Sequence, residues 1–244
     1  MGLKLNIGAG LQARKEPGQL NCDLYLGPNI DVVFNACEPW PFKDESVDSI
    51  YACHVLEHLP DHFAFFKEAW RVLKPSPTYN LTMRLPYGPG NNGIGDLTHL
   101  RMWVPSNFAC LQPGYGEAVY NPQHVGHGEF WSIMNCYLRI CPTFRWLVKP
   151  IIWRWGLQLI QHLWGGYDEM IVGMRALKTA PEVLRWKMEN TGNAVPIAHC
   201  MYQHEYEGRA LDKTERLRML FFGNGAKELQ RQNDEQLACI QSSI

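Results

Sequence analysis

The first sixty residues repeat a pattern that restricts the fold: short apolar segments, each ending in glycine or a polar side chain. These segments are residues 3–7, 20–24, 30–35 and 47–53. The first is followed directly by Gly8, Ala9 and Gly10. Segments of this length and composition are typical of strands, and open parallel sheets bind ligands outside the carboxyl ends of their strands. We therefore expect a sheet with a ligand site at this edge.

Later segments alternate between helical and strand patterns. Residues 62–73 carry apolar side chains at helical spacing, and Pro75 ends that helix. The other predicted elements are a strand at 79–85, a short helix at 105–111, strands at 130–140 and 167–177, and helices at 181–188 and 213–222. Alternating strands and helices predict a doubly wound α/β fold.

The chain of 244 residues divides into two predicted parts. Residues 1–178 form a cofactor-binding domain, and residues 179–244 form a helical extension whose polar end frays. A tryptophan-rich helical segment at about 144–164 is inserted in the first part. Its basic and aromatic side chains suit peripheral contact with a membrane or a cover over an apolar substrate, and a core helix is the alternative.

Composition excludes several classes of function. The net charge is -1, from 23 basic and 24 acidic residues, so no nucleic-acid partner is expected. The eight cysteines form no CxxC pair, which removes the usual zinc and redox motifs. Single cysteines and the lack of a signal-peptide pattern at the N-terminus favour a cytoplasmic protein. No uncharged run is long enough to cross a bilayer. The oligomeric state is not indicated.

The glycine loop admits two cofactor classes. Gly8, Gly10 and Ala13 fit the dinucleotide fingerprint G-x-G-x-x-A. That fingerprint requires a full helix and an acid about 20 residues on, whereas Pro17 interrupts the helix and Asp23 comes only 13 residues after Gly10. A carboxylate at Asp23 is placed to accept both ribose hydroxyls of an adenosine. A plain turn and a surface acid are the alternatives.

Polar residues also follow the third and fourth segments. Asn35 has an amide that suits an adenine edge, or a turn. His54, Glu57 and His58 follow the fourth segment, where the two histidines, at i and i+4, raise the question of a metal. Pro60 breaks the helix there and no Cys or Asp completes the set, so we expect no metal site.

The segment 96–103 follows a loop rich in glycine and asparagine, where a substrate lid would lie. Histidine exchanges protons near neutral pH, so His99 is the first candidate for a general base, before His54 and His58. Arg101 suits an anionic substrate group, and Tyr87 is the second predicted substrate contact. The alternative is that His99 packs beneath the loop.

Five stretches together resemble one known family. They read LNIGAG at 5–10, NCDL at 21–24, WPFKDESVD at 40–48, HVLEHL at 54–59 and EAWRVLKP at 68–75. In this order they resemble class I S-adenosylmethionine-dependent methyltransferases, within them a small bacterial and phage group. The likeness covers residues 3–110 well and 130–178 loosely. It implies a mostly parallel, seven-strand-type Rossmann-like sheet.

The resemblance also implies roles for individual residues. Gly8, Ala9 and Gly10 would contact the methionine end of S-adenosylmethionine, and Asp23 the ribose. By the same likeness Asn35 would meet adenine, and His54 would lie beside the sulfonium. The expected function is methyl transfer to a small molecule or sugar-type acceptor.

Two other functions stay open. An NAD(P)-dependent oxidoreductase of Rossmann type would use the same glycines. A non-catalytic S-adenosylmethionine-binding module would fit the altered turn at Ser76, where the family has glycine.

Overall fold

One sheet of eight strands organises the part of the chain that the structure describes. The computed structural model describes residues 2–10, 13–88, 90–113, 128–140, 167–190 and 198–200. The strands are β1 (Lys4–Ile7), β2 (Gln19–Asp23), β3 (Val32–Val33), β4 (Ser49–Cys53), β5 (Leu81–Pro86), β6 (Phe130–Ile140), β7 (Tyr167–Leu177) and β8 (Ala198–Cys200). Their order across the sheet is β3-β2-β1-β4-β5-β7-β6-β8.

The strand directions confirm the predicted fold class. The pairs that join β3, β2, β1, β4 and β5 are all parallel. Strand β7 runs antiparallel to both β5 and β6, so the first seven strands form the mostly parallel sheet that the sequence indicated. Strand β8 pairs parallel with β6. It comes from the region predicted to be helical and adds a strand that the sequence did not reveal.

The predicted strands are present with shifted ends. Residues 130–140 and 167–177 are confirmed as strands over those bounds. The third segment, predicted at 30–35, is reduced to Val32–Val33. It is the outermost strand and pairs with β2 alone, so only one neighbour stabilises it.

Helix α1 spans His62–Val72 and confirms the prediction for 62–73 within one residue. The Asp61 side chain accepts a hydrogen bond from the Ala64 N–H at 3.0 Å, which caps the helix. Phe65, Phe66 and Ala69 are buried against the sheet core. Together they fix the helix, and with it the loop that precedes it.

Shorter helices complete the described part of the chain. They are 3-10 turns at Leu56–His58 and Pro105–Leu111, a single turn α2 at Asn91–Ile94, and α3 at Ala180–Glu189. Helix α3 confirms the helix predicted at 181–188. Residues 13–18, between β1 and β2, form loop and turn without a helix.

Some predictions fall on other residues. The tryptophan-rich segment at 144–164 and the helix at 213–222 lie outside the described residues, and the division at residue 178 stays a prediction. Among the described helices, none has the length and apolarity needed to cross a membrane.

Candidate cofactor and acceptor site

The loop after β1 uses glycine where the backbone requires it. Gly8 and Gly10 have φ angles of 65° and 71°. Residues with a Cβ rarely adopt this left-handed region of backbone conformation. A Cβ on Gly8 would also lie 2.1 Å from Cγ2 of Val55, whereas a Cβ on Gly10 would meet nothing within 4 Å. Gly8 therefore lets the loop after β4 approach β1, and Gly10 borders open space.

Asp23 stands beside this loop at the carboxyl end of β2. Its Oδ2 accepts the Gly10 N–H at 2.8 Å, and its Oδ1 accepts the Tyr25 N–H at 3.1 Å. A carboxylate oxygen has a further acceptor position beyond one such bond. The carboxylate thus holds the glycine loop in place and can still accept hydrogen bonds from two hydroxyl groups. Its predicted contact with ribose stays a prediction.

Ala9 and Asn35, two other residues predicted to contact the cofactor, form hydrogen bonds within the protein. The Ala9 N–H donates to the Cys22 carbonyl at 3.0 Å. The Asn35 amide oxygen accepts the Cys37 N–H at 3.0 Å, and its Nδ2 donates to Glu38 at 3.2 Å. These bonds form a turn, which the sequence analysis left open as the alternative role of Asn35. The turn follows β3, at the edge of the sheet where the cofactor site is predicted.

His54 directly follows β4 and lies between two carboxylates. Its φ of 54° is unusual for a residue with a side chain. Nε2 is 3.0 Å from Oε1 of Glu169, and Nδ1 is 3.2 Å from Oε1 of Glu57. These bonds, that to Glu169 first, raise the pKa of His54 to about 10. Both ring nitrogens therefore act as donors, which argues against His54 as the base.

Glu169 joins His54 to a network of buried charges. Its Oε1 lies 2.6 Å from Nε of Arg84 on β5, and its Oε2 lies 3.0 Å from Nη1 of Arg139 on β6. Arg139 also forms a bidentate pair with Asp168 at 2.8 and 2.9 Å. Burial opposes the charge on Glu169, but the bonds from His54 and Arg84 outweigh it and lower the pKa.

A pair of histidines, His58 and His99, lies close to Glu57. The rings of His58 and His99 meet edge to face, with centroids 4.9 Å apart. Nδ1 of His99 lies 3.0 Å from the Gly93 carbonyl, and Nδ1 of His58 lies 3.3 Å from the Thr98 carbonyl. The structure thus brings His54, His58 and His99, the three candidate bases predicted from the sequence, to one site.

These groups line one open cleft of about 420 Å³. Its lining residues are His54, Glu57, His58, Pro86, Asn92, Gly95, Asp96 and His99. Val55, which contacts the glycine loop at Gly8, belongs to the same turn as Glu57. The polar cleft therefore adjoins the loop after β1.

The two predicted substrate contacts occupy different environments. Arg101 is exposed and influences the pKa values of His62 and Cys110. Tyr87 is buried, with its ring edge to face on Tyr167 at 5.4 Å, and burial raises its pKa. Neither side chain lines the cleft, and both assignments stay predictions.

Sequence reasoning missed the charged network. Its members are Arg84, Arg139, Asp168 and Glu169, all within strands of otherwise apolar pattern. Charged side chains are rarely buried unless paired, so acids at the start of an apolar segment were the available signal. The pairing itself depends on which strands become neighbours.

Part of this chain is similar to known methyltransferases. Residues 11–78 match the family model described as a methyltransferase domain. A protein of Mycolicibacterium smegmatis named "Probable S-adenosylmethionine-dependent methyltransferase/" is 28% identical over 103 residues, which is 41% of this chain and 40% of that protein. The chain thus matches about two fifths of the length of that curated relative.

Solved methyltransferase structures also resemble the chain. One is an S-adenosylmethionine-dependent methyltransferase from Archaeoglobus fulgidus, with 16% identity, coverage of 71% of this chain and 86% of that one, and a TM-score of 0.48. Another is phosphoethanolamine N-methyltransferase 2 of Haemonchus contortus in complex with S-adenosyl-L-methionine, with 13% identity, coverage of 73% and 49%, and a TM-score of 0.41.

The family match and the sheet agree with each other. The matched residues begin directly after Gly10 and include β2, β3, β4 and α1, and with them Asp23 and His54. The absence of a helix at residues 13–18 removes the feature that a dinucleotide fingerprint requires. Residues 11–78 therefore carry a likeness to a methyltransferase domain, and the named relative indicates the S-adenosylmethionine-dependent kind.

Proposed function

We propose that this chain transfers the methyl group of S-adenosylmethionine to a small-molecule acceptor, with a sugar-type molecule as the first choice. The observation that carries the proposal is the contact between Gly8 and Val55. It joins the loop that would hold the cofactor to the cleft that would hold the acceptor, so the two ligands would meet at the end of β4.

The size and polarity of the cleft support the acceptor class. A volume of about 420 Å³ falls in the range of small-molecule sites. Two carboxylates, Glu57 and Asp96, stand among its histidines. Hydroxyl groups find both donors and acceptors on such a lining, whereas a polyanion such as nucleic acid would be repelled.

The cofactor and the protein divide the chemistry. S-adenosylmethionine supplies an activated methyl group when bound. The chain's residues orient the acceptor in line with that group, and positioning alone accounts for much of the acceleration in such reactions. An acceptor hydroxyl must also lose its proton. His99 is our candidate for handling that proton, since its Nδ1 donates to the Gly93 carbonyl and its Nε2 lies 3.8 Å from Oδ2 of Asp96.

The altered turn at Ser76 does not favour a non-catalytic module. Ser76 and Pro77 precede β5 and lie at its amino end, whereas the cleft is at the carboxyl ends of the strands. The Thr78 N–H donates to Oγ of Ser76 at 3.3 Å, so the turn is locally supported. We further propose a cytoplasmic location, because Cys22, Cys37, Cys53, Cys110 and Cys136 are free thiols.

Transfer of radiolabelled methyl from S-adenosylmethionine to a metabolite extract tests the proposal. The expected result is label in a low-molecular-weight product. His99→Gln should lower turnover by about 10²–10⁴-fold and leave cofactor affinity unchanged. A matched control is His62→Gln, a histidine outside the cleft. Label transfer at the wild-type rate by folded His99→Gln would remove His99 from the reaction. The proposal itself fails if the wild-type protein binds the cofactor but labels no product.

A further inference from the structure

We infer that Glu57, His58 and His99 form a binding site for one divalent first-row metal ion such as Zn²⁺. Each of the three offers a ligand atom, and these atoms lie within 4.8 Å of one another. Two imidazoles and one carboxylate, with further positions open, are the donor set of catalytic zinc sites. The sequence predicted no metal at His54 and His58 because Pro60 breaks the helix there and no Cys or Asp completes the set. The third ligand, His99, comes from a loop some forty residues later in the chain.

The Glu57 carboxylate supplies the first independent sign of a missing ligand. Its side chain is 0% exposed. Oε1 accepts a hydrogen bond from Nδ1 of His54, whereas no hydrogen-bond donor in the described part of the chain reaches Oε2. A buried carboxylate oxygen without a partner is costly, and a bound ion is a recognised explanation for such an atom.

The hydrogen bonds of His58 and His99 also favour a metal site. A carbonyl oxygen only accepts, so the Nδ1 atoms of His99 and His58 must be the donors to Gly93 and Thr98. In the neutral ring this assignment leaves the lone pair on Nε2 of each histidine. Metal-binding histidines commonly donate their other nitrogen to a carbonyl in this way.

The backbone holds the two halves of the cluster together. The Leu100 N–H donates to the Glu57 carbonyl at 2.8 Å, and Oγ1 of Thr98 lies 3.1 Å from Nδ1 of His58. The loop that bears His99 is therefore fastened to the turn that bears the other two ligands. Asp96 adds negative charge, with its Oδ2 3.8 Å from Nε2 of His99.

The chemical role of the ion rests on the proposed function. An ion at this site would bind the acceptor hydroxyl at an open position and stabilise its deprotonated form. His99 would then act as a metal ligand instead of a base. Methyl transfer needs no oxidant or reductant, so the ion serves as a Lewis acid, and the hydroxyl proton leaves to solvent.

Calorimetric titration of the tag-free, metal-stripped protein with Zn²⁺ tests the site without any acceptor. We expect one ion per chain, at about micromolar affinity or tighter. Glu57→Gln, His58→Gln and His99→Gln should each weaken binding by at least about tenfold, and Thr98→Val, which removes a hydrogen bond to a ligand, by about tenfold. Mg²⁺ should bind more weakly because it prefers oxygen ligands.

His62→Gln is the matched control, since its imidazole lies outside the cluster. Co²⁺ gives an optical readout, because its visible absorption should change in the same three ligand variants and not in the control. Equal Zn²⁺ affinity in the wild-type protein and all three variants would overturn the site. So would a wild-type protein that binds no Zn²⁺.

The role of the ion is tested separately from its binding. Removal of metal with a chelator should abolish methyl transfer while leaving S-adenosylhomocysteine affinity unchanged. Transfer that persists at full rate in the stripped protein would overturn the role. If Zn²⁺ binds as expected but no acceptor is ever methylated, the proposed function fails and the metal site stands.

Discussion

The glycine loop, proposed as the cofactor end of the site, and the adjoining histidine cleft, proposed as its acceptor end, are built in different ways. At the cofactor end a backbone N–H of Gly10 meets Asp23, only 13 residues further along the chain. At the acceptor end His54 meets Glu169 across 115 residues of sequence, and the contact is between side chains. A short motif can encode the first arrangement. The second exists only after β7 has been placed beside β5.

The largest expected effect is on the acceptor end. Glu169→Ala leaves Arg84, His54 and Arg139 without their shared carboxylate, and loss of one partner from a buried charge network costs about 3–5 kcal/mol. Asp44→Ala is the matched control, because Asp44 is an exposed acid paired with Arg71 and should cost less than about 1 kcal/mol. Urea denaturation measures both.

Equal losses of stability in these two variants would show that the acceptor end does not depend on its buried charges. Glu169→Gln keeps the shape of the side chain. It provides the measurement if the alanine variant does not fold.

The two loop glycines provide the next test. Gly8→Ala forces a positive φ on alanine, at about 1–2 kcal/mol, and drives a Cβ into Val55, at about 1–3 kcal/mol more. Gly10→Ala has the backbone strain without the collision, so it should lose only about 1–2 kcal/mol. The difference in unfolding free energy measures the contact that joins the two ends. An equal loss in both variants would contradict that contact.

Asp23 should affect affinity more than stability. Asp23→Ala removes the acceptor of two backbone bonds and the predicted ribose contacts. Bonds to a charged group contribute about 1.5–3 kcal/mol each, so S-adenosylhomocysteine affinity should fall at least about tenfold. Asp48→Ala, an acid at the opposite end of the sheet paired with Lys74, should bind normally. Unchanged binding by Asp23→Ala would place the ribose elsewhere.

The smallest expected effect concerns His62, which contrasts with His54. His62 is buried beside Trp103, and burial followed by the charge of Arg101 lowers its pKa. Its folded-state pKa lies below the unfolded value, so the unfolded chain binds more protons and stability falls as pH drops through about 6.5. His62→Gln should flatten this part of the stability curve. An identical slope in both proteins would contradict the buried, neutral state.

The same contrast explains what the sequence could predict. Gly8, Gly10 and Asp23 lie within one motif, and the helical spacing of Phe66 and Ala69 marked α1, so both were predictable. Glu169 is one of two adjacent acids at the start of an apolar strand, and nothing local says that it pairs with His54. The cluster of Glu57, His58 and His99 likewise depends on how the loop at 96–100 folds back on a turn some forty residues earlier. The strand β8 gave no usable pattern because it is only three residues long.

Calorimetric titration with S-adenosylhomocysteine and with NAD⁺ tests the central claim most directly. The claim is that the glycine loop and Asp23 form the edge of an S-adenosylmethionine site. The account predicts that S-adenosylhomocysteine binds with about micromolar affinity and that NAD⁺ produces no binding heat. Binding of NAD⁺ without binding of S-adenosylhomocysteine would contradict it.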